Sequence, residues 1–204
     1  MNYQTKQENF WATDFGNEYP SRNEGEVLIS TNVAIFSKIL KNCPSVNSFA
    51  ELGCNIGLNL VALNRINKNY KLRGYEINAK AAQEAKNQNV AEIINTTVAG
   101  PLDSSVKFDL TISKGVLIHI NPEKLAEVYQ NLFNLSNRYI LVYEYYNPTP
   151  MAIEYRGHED VLFKRDFAGE LIDKFNLKLI NYGFNYNREK YFPNDDGTWF
   201  LLEK

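Results

Sequence analysis

Ser48-Phe49-Ala50-Glu51-Leu52-Gly53-Cys54-Asn55-Ile56-Gly57-Leu58-Asn59-Leu60 reads as an apolar strand, a glycine-bearing turn and the opening of a helix. Gly53 removes a side chain where the turn bends, and Gly57 permits close backbone approach. The free N–H groups at the helix start favour a negatively charged ligand group. Twenty-four residues lie between Glu51 and Glu76, and Glu76 closes the next strand. Its carboxylate is thereby expected at the carboxyl end of strand two, beside the glycine turn, where it can accept hydrogen bonds from both hydroxyls of a ribose. A dinucleotide fingerprint requires glycine at positions 55 and 58, and this chain has Asn55 and Leu58, so the nicotinamide oxidoreductase reading fails at two positions.

Working outward, candidate strands occupy residues 46–52, 71–77, 92–98, 108–113, 139–144, 177–184 and 198–202, with amphipathic stretches between the first five. This alternation predicts an α/β chain with a Rossmann-like, doubly wound, seven-stranded, mostly parallel sheet. The turn residues Pro193-Asn194-Asp195-Asp196-Gly197 separate the last two strands and predict a C-terminal antiparallel hairpin. Asn121-Pro122 marks the start of a helix carrying Leu125, Val128, Leu132 and Leu135, and Asp166 starts another carrying Phe167, Leu171 and Phe175. Residues 25–40 read as an amphipathic helix, preceded over residues 1–24 by an aromatic, irregular arm or lid. No linker divides the chain, so 1–204 is expected to be one domain.

Composition narrows the function classes. The 204 residues are 44% hydrophobic, enough for a core without staples, and the formal charge of −2 offers no basic field for a nucleic acid. The two cysteines are not spaced as a metal pair, and no metal site is expected. No apolar run approaches the length that spans a bilayer and no secretory leader is visible, so a cytoplasmic protein without a membrane partner is expected.

The pattern Glu51-x-Gly53-x-x-x-Gly57 followed by Glu76 resembles motif I and the second-strand acid of class I S-adenosylmethionine-dependent methyltransferases. Phe108-Asp109-Leu110-Thr111-Ile112-Ser113-Lys114-Gly115 is similar to their fourth strand and following turn. The likeness implies S-adenosyl-L-methionine as cofactor, with Glu51 near the methionine amino group and Glu76 on the ribose. Gly53, Asn55, Gly57, Asn59, Ile77 and Asn78 would surround them, with Lys114 and Gly115 at the methionine end. Tyr19 and Arg22 of the arm would close over the cofactor, Arg22 meeting its carboxylate. One departure concerns the acid that often follows strand three and touches adenine: this chain has Asn95-Thr96-Thr97-Val98-Ala99-Gly100. Asn95 or the backbone of 97–100 would substitute.

Beyond strand five the segments Tyr143-Glu144-Tyr145-Tyr146-Asn147-Pro148, Tyr155-Arg156-Gly157-His158 and Phe163-Lys164-Arg165-Asp166-Phe167 are polar and aromatic. They are expected as ligand loops at the strand ends. With Phe10-Trp11, Phe15-Gly16 and Thr198-Trp199-Phe200, they resemble the methyltransferases associated with pseudaminic acid biosynthesis. That likeness implies a small anionic sugar-type acceptor, a nonulosonic acid or a nucleotide sugar, in surface glycan biosynthesis. Tyr146, Asn147, Arg156, Lys164 and Arg165 are the expected acceptor contacts. His158, Glu144 and Tyr145, in that order, are the expected catalytic bases, whereas His119, following Val116-Leu117-Ile118, reads as a structural hydrogen bonder. The alternative is a cofactor-binding partner of a sugar-biosynthesis complex that does not itself methylate.

Overall fold

The computed structural model describes residues 3–18 and 25–204. Helices α1 (Lys6–Ala12), α2 (Asp14–Glu18) and α3 (Gly25–Leu40) precede strand β1 (Ser48–Leu52). Then follow α4 (Leu58–Ile66), β2 (Lys71–Glu76), α5 (Ala79–Asn87), β3 (Glu92–Asn95), β4 (Phe108–Lys114), α6 (Leu125–Leu135) and β5 (Ser136–Glu144). The chain ends with β6 (Met151–Tyr155), β7 (His158–Lys164), α7 (Phe167–Phe175), β8 (Lys178–Asn185) and β9 (Gly197–Glu203).

Seven strands form one sheet in the order β3-β2-β1-β4-β5-β9-β8. β1 to β5 run parallel, while β9 lies antiparallel between β5 and β8, as expected from the turn residues that join β8 and β9. Side-chain alternation splits the core in two. Phe49, Leu110, Ile112 and Tyr143 pack with α3 and α4, whereas Ala50, Leu52, Ile140 and Val142 pack with α6 and α7. The strand order reverses between β1 and β4, and the crevice beyond their carboxyl ends is where an open α/β sheet binds ligands.

Two elements differ from the expectation. The arm is helical where it is described: Thr5 caps α1 and Glu8 reaches back to the cap in a reciprocal capping box. The polar stretch after β5 contains a hairpin, β6 and β7, forming a separate two-stranded sheet. Tyr155 and His158 face each other across Arg156 and Gly157, which take φ of 53° and 81°, the paired left-handed conformation of a two-residue hairpin turn. Among the described residues no helix is long and apolar enough to cross a membrane.

Candidate functional site

A cavity of about 380 Å³ opens at the carboxyl ends of β1, β2, β4 and β5. Its floor is the glycine turn. Gly53 has φ of 75°, and a Cβ there would lie 2.5 Å from Val116 Cγ2, so the turn admits neither a side chain's backbone preference nor its volume. Gly53 and Cys54 N–H both donate to the Tyr75 carbonyl, tying the turn to β2.

Glu76 is buried at the end of β2 as expected, with one oxygen accepting from Asn55 N–H at 2.7 Å and the other from Asn78 N–H at 2.8 Å. Burial raises its pKa. Glu51 is fully buried on the α3 and α4 face; its Oε1 accepts from Asn59 Nδ2 at 2.5 Å and its Oε2 has no partner. Burial pushes its carboxyl up to about 7. Gly53, Asn55, Asn59, Glu76, Ile77, Asn78, Lys114 and Gly115 all line the cavity; Glu51 and Gly57 do not, Glu51 being bonded to Asn59 and Gly57 capping α4. Tyr19 and Arg22 lie outside the described residues.

The arm and the hairpin roof the cavity. Gln7 Nε2 donates to the Asp160 carbonyl at 2.7 Å, and Asn121 Nδ2 donates to Gln7 Oε1 at 3.1 Å. Asn78 Nδ2 reaches Asn17 Oδ1 at 3.0 Å and the Trp11 carbonyl at 3.2 Å. Beyond β3, Thr97 Oγ1 donates to Glu8 Oε1 at 2.5 Å, and Asn95 Nδ2 is bound to the carbonyls of Glu76 and Ile77. Asn95, expected to stand in for the acid that the resembled family often carries there, thus has its amide N–H groups engaged by main-chain carbonyls, and Glu8 of α1 brings a carboxylate to the same wall. No reading of the third-strand loop alone reveals Glu8.

The expected bases and acceptor contacts separate into two groups. Glu144, Tyr145 and Arg156 line the cavity. Tyr146 is exposed and bridged to Arg165, whose Nε is held by Glu170 at 2.6 Å against α7, so the chain after β5 carries both away from the cavity. Asn147 turns its amide on Thr149, and Lys164 places its Nζ 5.3 Å from the centroid of the Tyr145 ring without lining the cavity. His158 is exposed beside the hairpin turn, its ring 5.0 Å from Phe10 and 5.9 Å from Phe15.

Glu144 is committed elsewhere. Its Oε1 accepts from Ser113 Oγ at 2.7 Å and from the Val116 and Leu117 N–H groups at 3.0 Å, with Ile118 N–H 3.5 Å from Oε2. This fastens the turn after β4. Burial pushes the Glu144 carboxyl up to about 7 while these donors pull it down.

His119, at the end of that turn, lines the cavity with its Nδ1 2.8 Å from the Val161 carbonyl of β7. A carbonyl only accepts, so Nδ1 carries the proton and Nε2 is left as a bare acceptor. The ring sits between Trp11, at 4.4 Å, and Tyr155, at 5.3 Å. Burial pushes its pKa down to about 4, keeping it neutral at pH 7. The structural bond expected of His119 exists, and it orients a second nitrogen that the sequence reading passed over.

No family model and no curated protein matches the chain. Solved structures do. The magnesium protoporphyrin IX methyltransferase ChlM from Synechocystis PCC 6803, with bound SAM, is 15% identical over 100% of both chains, with a TM-score of 0.66. DesVI from Streptomyces venezuelae is 11% identical over 93% of this chain and 98% of its own, at a TM-score of 0.68. The plantazolicin methyltransferase BpumL, in complex with SAH, is 13% identical over 97% and 93%, at 0.65. At such identities the likeness is one of fold, and the chain has the Rossmann-like fold of the class I S-adenosylmethionine-dependent methyltransferases.

Proposed function

We propose that the chain is an S-adenosylmethionine-dependent methyltransferase acting on a hydroxyl of a small anionic sugar-type acceptor, a nonulosonic acid or nucleotide sugar of surface glycan biosynthesis. The observation that carries the donor half is the pair of buried carboxylates that flank the glycine turn, Glu76 lining the roofed cavity at the sheet's switch point and Glu51 bonded to the cavity-lining Asn59. The residues fit the cofactor: Glu76 is placed for a diol, and Glu51 Oε2 and Asn59 Oδ1 are buried acceptors without partners. The donor, when bound, supplies a methyl group already activated on a sulfonium. The protein must align an acceptor, exclude water and receive a proton.

Each task has residues. The roof of α1 and the hairpin excludes water. Arg156 and Lys124 line the cavity and would attract an anionic acceptor, in keeping with the resemblance in the loops after β5. His119 Nε2 takes the hydroxyl proton as the oxygen attacks, and the Val161 carbonyl facing Nδ1–H favours the imidazolium that forms. His158, on the exposed end of the hairpin, packs the roof instead.

Calorimetry with S-adenosylmethionine tests the donor reading. Micromolar binding to the wild type, lost in Glu76→Ala, is expected; no measurable binding to the wild type refutes it. Methyl transfer to purified acidic sugars, read as a mass gain of one methyl, tests the acceptor class and separates an enzyme from a non-catalytic binder.

A further inference from the structure

The hairpin over the cavity is irregular at one place. Between the pairs Ile153–Leu162 and Tyr155–His158, β6 has the single residue Glu154, and β7 has three, Glu159, Asp160 and Val161. The surplus makes a bulge, and Asp160 in its middle takes a φ of 59°, a left-handed conformation that a residue with a side chain adopts only when its surroundings hold it there. All three carbonyls of the bulge face side chains from outside the hairpin. That of Glu159 accepts from Lys6 Nζ at 2.9 Å, that of Asp160 from Gln7 Nε2 at 2.7 Å, and that of Val161 stands 2.8 Å from His119 Nδ1. Bulges beside binding sites re-aim a group toward the site; here the group is a backbone carbonyl.

Gln7 ties this bulge to the turn that carries His119. It is buried in the cavity wall, and its amide is used at both ends, Nε2 on the Asp160 carbonyl and Oε1 accepting from Asn121 Nδ2 at 3.1 Å. Asn121 Oδ1 accepts from Glu123 N–H at 2.9 Å, which fixes the chain two residues beyond His119. A closed circuit results, running from His119 to Val161, back one residue to Asp160, across to Gln7, on to Asn121 and along the chain to His119. Connected buried hydrogen bonds hold their members more narrowly than single ones do. We propose that Gln7 and the β7 bulge it holds position His119, keeping the Val161 carbonyl where it fixes the imidazole proton on Nδ1 and leaves Nε2 bare.

The inference rests on the reading of His119 as the base. A neutral imidazole can carry its proton on either nitrogen, and the hydrogen bond at one nitrogen decides the state of the other. A ring protonated on Nε2 cannot take a hydroxyl proton there. Because Gln7 also belongs to the roof, the seating of α1 and the alignment of the base become one event.

Nitrogen-15 spectra of the whole chain with S-adenosylhomocysteine read which ring nitrogen is protonated; of the two histidines, His119 gives the signals missing from His119→Asn. The wild type is expected to show Nδ1–H alone. Gln7→Met keeps the length of the side chain and deletes the amide. Asp160→Val leaves Gln7, Asn121 and His119 in place and disfavours the left-handed backbone, whereas Asp160→Gly tolerates it. Gln7→Met and Asp160→Val should each show a mixture of tautomers and a kcat for transfer to acidic sugars lowered about tenfold, the scale of one orienting hydrogen bond, with S-adenosylhomocysteine affinity within about threefold of wild type. Asp160→Gly should match the wild type. Where Gln7→Met loses the ligand, Asp160→Val, which leaves α1 unchanged, decides alone. A ring wholly protonated on Nδ1 in Asp160→Val, or in a Gln7→Met variant that still binds, overturns the positioning role. Asp160→Gly failing as Asp160→Val does overturns it too, by tracing the effect to the Asp160 side chain. Undiminished transfer by His119→Asn overturns the base reading instead, and the tautomer, read without turnover, is scored apart from it.

Discussion

Truncating Glu144 tests whether this carboxylate is an anchor or the base that the sequence suggested. Its Oε1 accepts the Ser113 hydroxyl and two backbone N–H groups, and Oε2 faces a third N–H at 3.5 Å. Glu144→Ala leaves at least two buried N–H groups without an acceptor at about 1–3 kcal/mol each. The hydroxyl can rotate, and water from the cavity can reach part of the gap. A net loss of about 3–5 kcal/mol follows, which for a chain of this size lowers the melting temperature by roughly 6–20 °C. Glu144→Gln keeps an oxygen where Oε1 stands and presents N–H only to the long Ile118 contact, costing about 1 kcal/mol. Thermal melts by circular dichroism with S-adenosylhomocysteine calorimetry read both. A Glu144→Ala variant melting within about 2 °C of wild type would refute the anchor, as would Glu144→Gln abolishing methyl transfer with stability and cofactor affinity intact.

Replacing His119 with Asn retains an amide able to donate to the Val161 carbonyl and deletes the bare Nε2. Methyl transfer is expected to fall about 10²–10⁴-fold with S-adenosylhomocysteine affinity unchanged; activity within threefold of wild type, in an assay of transfer to acidic sugars, removes His119 as the base. Glu51 gives a pH signature in melts of the free protein. Its folded pKa of about 7 exceeds the 4.5 of a free carboxyl, so the unfolded chain ionises first as pH rises. Stability is therefore undiminished below 4.5, falls as pH rises to about 7 and is level above, the loss being at most about 3 kcal/mol. Glu51→Gln should melt above wild type at pH 8 and nearly with it at pH 4; a lower melting point at pH 8 means that Glu51 is ionised and supports the fold.

The parts of this molecule legible in the sequence are those fixed by neighbours along the chain. The glycine turn and Glu76 could be placed because a strand, a two-glycine turn and a helix are local, and because β2 follows within one crossover. The hairpin of β6 and β7 was hidden by its polarity: Arg156-Gly157 is a two-residue turn signal, read instead as ligand chemistry because the residues on either side of it, Glu154-Tyr155 and His158-Glu159-Asp160, are polar. Where the two histidines stand is tertiary information. His119 is oriented by Val161, 42 residues later, and His158 sits on the exposed side of that same hairpin. Glu8 reaches Thr97 across 89 residues, and Asn194 reaches the cavity only because its loop is tied to α3. No spacing rule carries such pairings.

The division of labour at the ends of β4 and β5 follows from strand alternation. Lys114 pairs with Tyr143 in register, and both continue the face of Leu110, Ile112 and Leu141 toward α3 and α4. Ser113 and Glu144 point the other way, toward α6, where Thr111 also bonds the Leu132 carbonyl. The same two strand ends thus place the Lys114 ammonium and the unpartnered Tyr143 hydroxyl on one face of the sheet. On the other they place the carboxylate that fixes the turn leading to His119. A slip of one residue in either strand would exchange these faces, burying Lys114 against α6 and removing the acceptor from the three N–H groups. The register of two central strands, set by their apolar residues, therefore decides both which polar side chains face the cavity and where the imidazole stands.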